Sequence, residues 1–177
     1  MNDLTKVSSK KIMLTYGAIL GVVSILLSVI SYVMGNVFKP HWSIQLLGFL
    51  ILIAVIVYGL REFKKQNGGF LKLGQALKIG IGITAISSVL GILYFIIFTN
   101  LIEPDYFVQY MDFQREAALE ANTSATPEQI EQGLEMSKPF MNTGFFAGIQ
   151  FIMAVFFGFI VSLVAGPVMK RENPHAI

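Results

Sequence analysis

The sequence predicts an all-α fold, a polytopic integral membrane protein made as a four-transmembrane-helix bundle with short extracytoplasmic amphipathic helices in its third loop. Three observations carry this. Of the 177 residues, 54% are hydrophobic and only 14% are Asp, Glu, Lys or Arg, where a soluble domain has about 25% charged residues. Four long runs hold no charge at all, and the blocks of charge between them alternate in sign. The whole of 1–177 reads as one membrane domain.

The first span covers about 12–34. As a helix rising about 1.5 Å per residue it exceeds the roughly 30 Å of bilayer hydrocarbon. Lys6, Lys10 and Lys11 precede it as in a secretory signal, but a signal's apolar run is only about 7–15 residues and no small-x-small cleavage site follows, so it reads as an uncleaved helix. The second span, about 44–60, is shorter; Trp42 and Tyr58 stand where interfacial aromatics anchor a helix. The third, about 79–98, is interrupted only by Thr84, Ser87, Ser88 and glycines, and such hydroxyls can bond back to their own helix. The fourth, about 145–169, carries Gln150 and, near its end, Pro167, whose ring removes a backbone donor.

Lys and Arg resist translocation whereas acidic residues matter little. One set of gaps holds ten basic and three acidic residues, a net +7, and the other holds three basic and eight acidic, a net −5. The basic side is therefore cytoplasmic, and an even number of spans puts both termini there. The cytoplasmic loop 61–78 has a turn at Asn67-Gly68-Gly69, followed by Phe70, Leu73 and Leu77 on one face, which predicts an interfacial helix leading into the third span. Its candidate contacts to lipid headgroups are Arg61, Lys64, Lys65, Lys72 and Lys78.

The acidic loop 100–142 is long enough to need secondary structure of its own. Phe107, Tyr110, Met111 and Ala118 recur at helical spacing between Pro104 and Ala121, which suits a helix on the bundle's outer rim. After Asn122-Thr123-Ser124, Thr126-Pro127-Glu128-Gln129 reads as an N-cap, a proline at the first helical position and a capping-box glutamine. Pro139 ends that helix.

Lipid is as apolar as leucine, so membrane helices associate where small side chains let backbones approach. Gly17, Gly21, Ser24, Ser28, Ser31 and Gly35 form one stripe on the first helix; Gly80, Thr84, Ser87 and Gly91 form one on the third; the fourth has Gly144 and Gly148, then Gly158 and Ser162. As structure these are packing seams. As function they would line a groove or an oligomer interface, a reading that seams alone do not favour.

Candidate chemistry is sparse. With no cysteine there is no disulfide, thiolate metal site or cysteine nucleophile. No charged residue falls inside a span, and such residues are the default mark of an ion or proton path. Gln45 and Gln150 lie near span ends, where they serve better as helix ties than as substrate contacts. Gly69 and Gly74 have the outer spacing of a phosphate loop, but Gln75 and Ala76 replace its Lys and Ser/Thr, and Gly80-x-Gly82 follows no strand, so both nucleotide matches fail. His41 and His175 fall on opposite sides of the membrane. Glu128, Glu131 and Glu135, with Glu103 and Asp105, could gather a divalent cation, but without a tight oxygen-rich loop a solvated acidic face is the better reading. Ser24, Ser28 and Ser31 have no His or acid nearby for a hydrolytic triad. Asn122-Thr123-Ser124 is formally a glycosylation acceptor.

Four spans, the segment Tyr58-Gly59-Leu60-Arg61-Glu62-Phe63-Lys64-Lys65, the stretch from Gly68-Gly69-Phe70-Leu71-Lys72 through Leu73-Gly74-Gln75-Ala76-Leu77-Lys78-Ile79-Gly80, and the acidic loop before the fourth span together resemble an uncharacterised bacterial membrane family. It is the domain of unknown function 4199, common in Bacteroidota, and the likeness covers nearly the whole chain. The resemblance implies an inner-membrane location with the acidic loop in the periplasm, and brings no activity, catalytic residue or cofactor.

The expectation is a multi-pass inner-membrane protein that is not an enzyme, has no cofactor and no metal, and acts through membrane lipid, another membrane protein or itself. A net charge of +2 gives no ground for a nucleic-acid partner. The alternative is a small permease or channel bordered by the hydroxyl faces of the first and third helices. A lipid-modifying enzyme lacks a visible base, nucleophile or metal set.

Overall fold

The computed structural model describes residues 8–121 and 125–171. Its long helices are α1 (Ser9–Val33), α2 (Trp42–Gln66), α3 (Leu73–Ile97) and α6 (Thr143–Met169), with α4 (Tyr106–Glu120) and α5 (Pro127–Ser137) between the last two. Four of them, α3 together with the turn that continues it, are long and apolar enough to cross a membrane. Among the described residues there is no strand, only one isolated antiparallel bridge between Leu71 and Arg171. The chain divides into two compact units, one formed by residues up to Gly91 with Phe151 onward, the other by Ile92–Gln150.

In the first unit α3 is the hub, which is why its sequence is apolar all round instead of striped. Ile79 and Ile83 of α3, Ile56 and Leu60 of α2 and Leu71 before α3 are fully buried. A side-chain carbon at Gly17 of α1 would stand 2.7 Å from Ile86 Cβ and 2.9 Å from the Ile83 carbonyl oxygen; one at Gly21 would stand 2.8 Å from Leu90 Cδ1. Gly59 of α2 approaches Ile83 Cδ1 in the same way, at 2.7 Å. The outward faces carry exposed Leu14, Val22, Leu26, Leu50, Tyr58 and Val164, an apolar surface that only lipid covers without cost.

Gly35 is not part of the α1 seam. Its φ of +69°, with Gly35 N–H donating to Tyr32 O at 2.9 Å and Asn36 N–H to Ser31 O at 2.9 Å, makes it the left-handed stop of a Schellman cap. Gly68 (φ +66°) and Gly69 (φ +86°) end α2 likewise. No separate interfacial helix follows them. The chain is extended through Leu71, and α3 starts at Leu73 and runs unbroken into the span. The reason is local: Leu71 exchanges two backbone bonds with Arg171, at 2.9 and 3.0 Å, and the Gln75 side chain accepts from Lys72 N–H at 2.9 Å, fastening the first turn of α3.

In the second unit α3 ends in a π-helical turn, Phe98–Ile102. Thr99 Oγ1 bonds the Phe95 carbonyl and Thr143 Oγ1, each at 3.0 Å. Tyr106, Phe107 and Tyr110 of α4 pack their rings against Phe95, Phe98 and Phe146. Helix α5 opens with the expected capping box, Thr126 with Gln129, and a short 3₁₀ turn, Lys138–Phe140, follows it. Asn122-Thr123-Ser124 lies outside the described residues, as does His175.

Candidate functional site

Helices α3 and α6 cross antiparallel in the first unit, and small residues meet at every turn. A Cβ at Gly80 would stand 2.9 Å from Ser162 Cβ, and one at Gly158 would stand 2.9 Å from Thr84 Cβ. At Gly166 it would stand 3.1 Å from Ala76 Cβ. Steps of four up α3 (Ala76, Gly80, Thr84) thus match steps of four down α6 (Gly166, Ser162, Gly158). Backbones close enough to exclude a methyl group gain dispersion that bulkier pairs cannot reach.

The seam contains hydroxyls, yet they do not join the two helices. Thr84 and Ser162 are 1% and 0% exposed. Thr84 Oγ1 donates within its own helix to Gly80 O at 3.2 Å or Ile81 O at 3.1 Å, and Ser162 Oγ to Gly158 O at 2.7 Å. Each spends its polarity on its own backbone and serves as a small filler. Ser88, 4% exposed, is the buried hydroxyl with no hydrogen-bond partner among the described residues.

Of the other seam candidates, Gly17, Gly21 and Ser87 are buried and Gly91 is half-buried. Ser24 and Ser28 are exposed and are not seam positions. Gly144 meets only Asn142 Oδ1, at 3.3 Å, and nothing lies within 4 Å of a Cβ at Gly148; these two are not seam positions. The close approaches at Gly59, Gly82 and Gly166 are absent from the sequence-based stripes. Gly82 stands alone against Met13, so no periodic signal could have found it, whereas Gly166 continues the Gly158, Ser162 series by one more step of four.

The basic loop is built differently from a free headgroup strip. Lys64 Nζ donates to the Met169 carbonyl at 2.8 Å and is partly buried. It therefore caps the C-terminal end of α6, where carbonyls lack intrahelical N–H donors and the helix dipole favours a cation. Arg61, Lys65, Lys72 and Lys78 are exposed. The Leu71 bridge brings in a residue from the other end of the chain: Arg171 is exposed, with its guanidinium carbon 5.9 Å from the Phe70 ring centroid.

The pattern of the family described as protein of unknown function, DUF4199, matches residues 15–171. The chain belongs to that family. No curated protein and no solved structure matches it. The matched stretch of this DUF4199 chain takes in the α3–α6 seam and both halves of the Leu71–Arg171 bridge.

Among the described residues of this DUF4199 chain, no three His, Asp or Glu side chains are placed to hold a metal ion. The acidic face of α5 is partly engaged already. Arg115 reaches from α4 and holds Glu131 with two donors, at 3.0 and 3.1 Å, and Asp112 with a third, at 2.9 Å. Glu135 pairs with Lys138, and Glu103 accepts from Gln109 at 2.6 Å. The hydrogen bond from Arg115 holds the Glu131 carboxyl below its ordinary range. Gln45 donates to the Pro40 carbonyl at 2.9 Å, and His41 bonds Ser43 at 2.8 Å, so both serve the start of α2.

Proposed function

We propose that this DUF4199 protein is a non-enzymatic component of a bacterial inner membrane, acting through association with lipid or with another membrane protein. Its termini and the loop 61–78 face the cytoplasm, and the α4–α5 hairpin faces the periplasm. One observation supports association over transport: the buried polar atoms of Thr84 and Ser162 are consumed by their own helices, leaving a dry packing seam where a permeation path needs polar continuity. Nine described cations against one described carboxylate, Glu62, at the loop end of the first unit support the orientation.

The absence of cysteine makes the test clean. A single Lys65→Cys should react with an impermeant maleimide only in opened membranes, and Gln132→Cys should react in intact spheroplasts; the reverse pattern overturns the orientation. Crosslinking in native membranes should then return reproducible neighbours, and a lone, lipid-indifferent monomer would sink the association reading.

A small permease or channel is the second reading, favoured by the buried, unpartnered Ser88 hydroxyl of α3. It requires solute flux in liposomes that Ser88→Leu abolishes.

A further inference from the structure

We propose that Asn67-Gly68 is a spontaneous modification site: the Asn67 carboxamide deamidates through a cyclic imide, and the product loosens the backbone bridge between Leu71 and Arg171. Of the asparagines in the chain, Asn67 alone precedes a glycine. The backbone nitrogen of the following residue is the nucleophile, and any side chain there obstructs its approach; glycine has none. Gly68 N bonds to Asn67 Cγ, the Cγ–Nδ2 bond breaks, and Nδ2 leaves as ammonia with the proton that Gly68 N gives up. Water then opens the imide at either carbonyl, leaving aspartate or isoaspartate. Nothing is oxidised or reduced, and water is the co-reactant.

The turn leaves room for this reaction and also gates it. Asn67 ends α2 with ψ at 31°; Gly68 is exposed, and a side-chain carbon there would meet nothing nearer than the Phe70 ring, at 3.7 Å. At Gly69 it would meet nothing within 4 Å. The restraint is a reciprocal pair: Asn67 Nδ2 donates to Phe70 O at 2.9 Å, and Phe70 N–H donates back to Asn67 O at 3.3 Å. Bringing Gly68 N onto Cγ requires rotation about the Asn67 Cα–C bond, which swings the Asn67 carbonyl away and breaks that pair. The reaction therefore proceeds from locally opened molecules. Phe70 is joined directly to Leu71, whose N–H and carbonyl meet Arg171 at 2.9 and 3.0 Å, so opening of the turn and opening of the bridge are coupled. The product favours the open form. A carboxylate accepts and cannot donate, so it repels Phe70 O where the amide was bonded to it, and isoaspartate also lengthens the main chain by a methylene. Conversion is one-way, so the modified fraction rises with the age of the protein.

The test uses the full chain reconstituted in phosphatidylcholine vesicles and incubated at mildly alkaline pH, with peptide mass spectrometry to place the deamidation and hydrogen exchange to read the bridge. Asn67 should convert well ahead of Asn36, Asn100 and Asn142. Arg171→Pro removes the donor to Leu71 O without touching the buried core. It should speed conversion of Asn67 by about two- to tenfold, the factor for one hydrogen bond, and leave the other asparagines at their wild-type rates. Asn67→Asp supplies the aspartate product directly, and its Leu71 amide should exchange faster by about the same factor. Aged wild type should show that faster exchange in proportion to the fraction converted, a reading that does not depend on how the variant folds. Conversion at Asn67 no faster than at Asn100 or Asn142, an Arg171→Pro rate equal to the wild type, or unchanged exchange at Leu71 in Asn67→Asp and in aged protein would each overturn the proposal.

Discussion

Gly158→Ala isolates what the α3–α6 seam contributes. The added Cβ would stand 2.8 Å from Thr84 Cγ2 and 2.9 Å from Thr84 Cβ, inside van der Waals contact, and Thr84 is 1% exposed with no room to withdraw. Overpacking of this kind costs about 1–3 kcal/mol. In lipid there is no transfer gain to offset it, since the extra methyl is apolar in either surroundings. Gly148→Ala, on the same helix, meets nothing within 4 Å and should be neutral or stabilise by up to about 1 kcal/mol through helix propensity. Reversible unfolding in mixed micelles, followed by far-UV circular dichroism as the anionic detergent fraction rises, gives both values. Thr84→Ala should recover part of the Gly158→Ala loss, with a coupling of about 0.5–3 kcal/mol expected for side chains in contact. If Gly158→Ala costs no more than Gly148→Ala, or if the two seam substitutions simply add, the seam is not a tight contact and the packing argument fails.

Two further outcomes follow from the ion pairs and caps. The Arg115 fork lowers the pKa of Glu131 in the folded hairpin, so its stabilising contribution is complete above the ordinary carboxylate range and is lost as pH falls through the lowered value; spin labels at Glu120→Cys and Gln132→Cys should report a broadened α4–α5 distance in acid, and Arg115→Gln should show that breadth already at neutral pH. Lys64→Met removes the donor to the Met169 carbonyl and leaves that partly buried acceptor unmet, at a cost of about 1–3 kcal/mol; unfolding in mixed micelles should show it, and a value near zero would mean that water replaces the ammonium there.

The spans were legible because their signal is physical and long: over a whole helix, the cost of a charge in hydrocarbon excludes Lys, Arg, Asp and Glu. The α5 start was legible as well, since Thr126, Pro127 and Gln129 each answer a need of the first turn. The contacts that join distant segments were not. Nothing in Phe70-Leu71-Lys72 announces an extended segment, because its conformation is decided by Arg171, which supplies both backbone bonds from the far end of the chain. Reading Phe70, Leu73 and Leu77 as one helical face was reasonable locally and failed because Leu71 is the residue that is 0% exposed. Lys64 shows the same limit: its charge suggests a headgroup, whereas its geometry serves a carbonyl of α6. Ser88 lay beside the expected Ser87, and its burial without a hydrogen-bond partner among the described residues depends on what packs around it, which the sequence does not spell out.

That crossing explains why the loop end matters to the packing of the first unit. A seam with a small residue every four positions on both helices is nearly indifferent to sliding by one turn: Gly80 would then oppose Gly166, and Thr84 would oppose Ser162, small against small again. Packing therefore supplies close approach without choosing the register, and hydroxyls bonded to their own helices add no choice either. What chooses is at the end of α6. Leu71 and Arg171 exchange directional backbone bonds, and Lys64 finds one particular carbonyl; a slide of four residues, about 6 Å, would break all three. The seam and the clasp thus divide the work, the first giving affinity between helices and the second fixing their alignment.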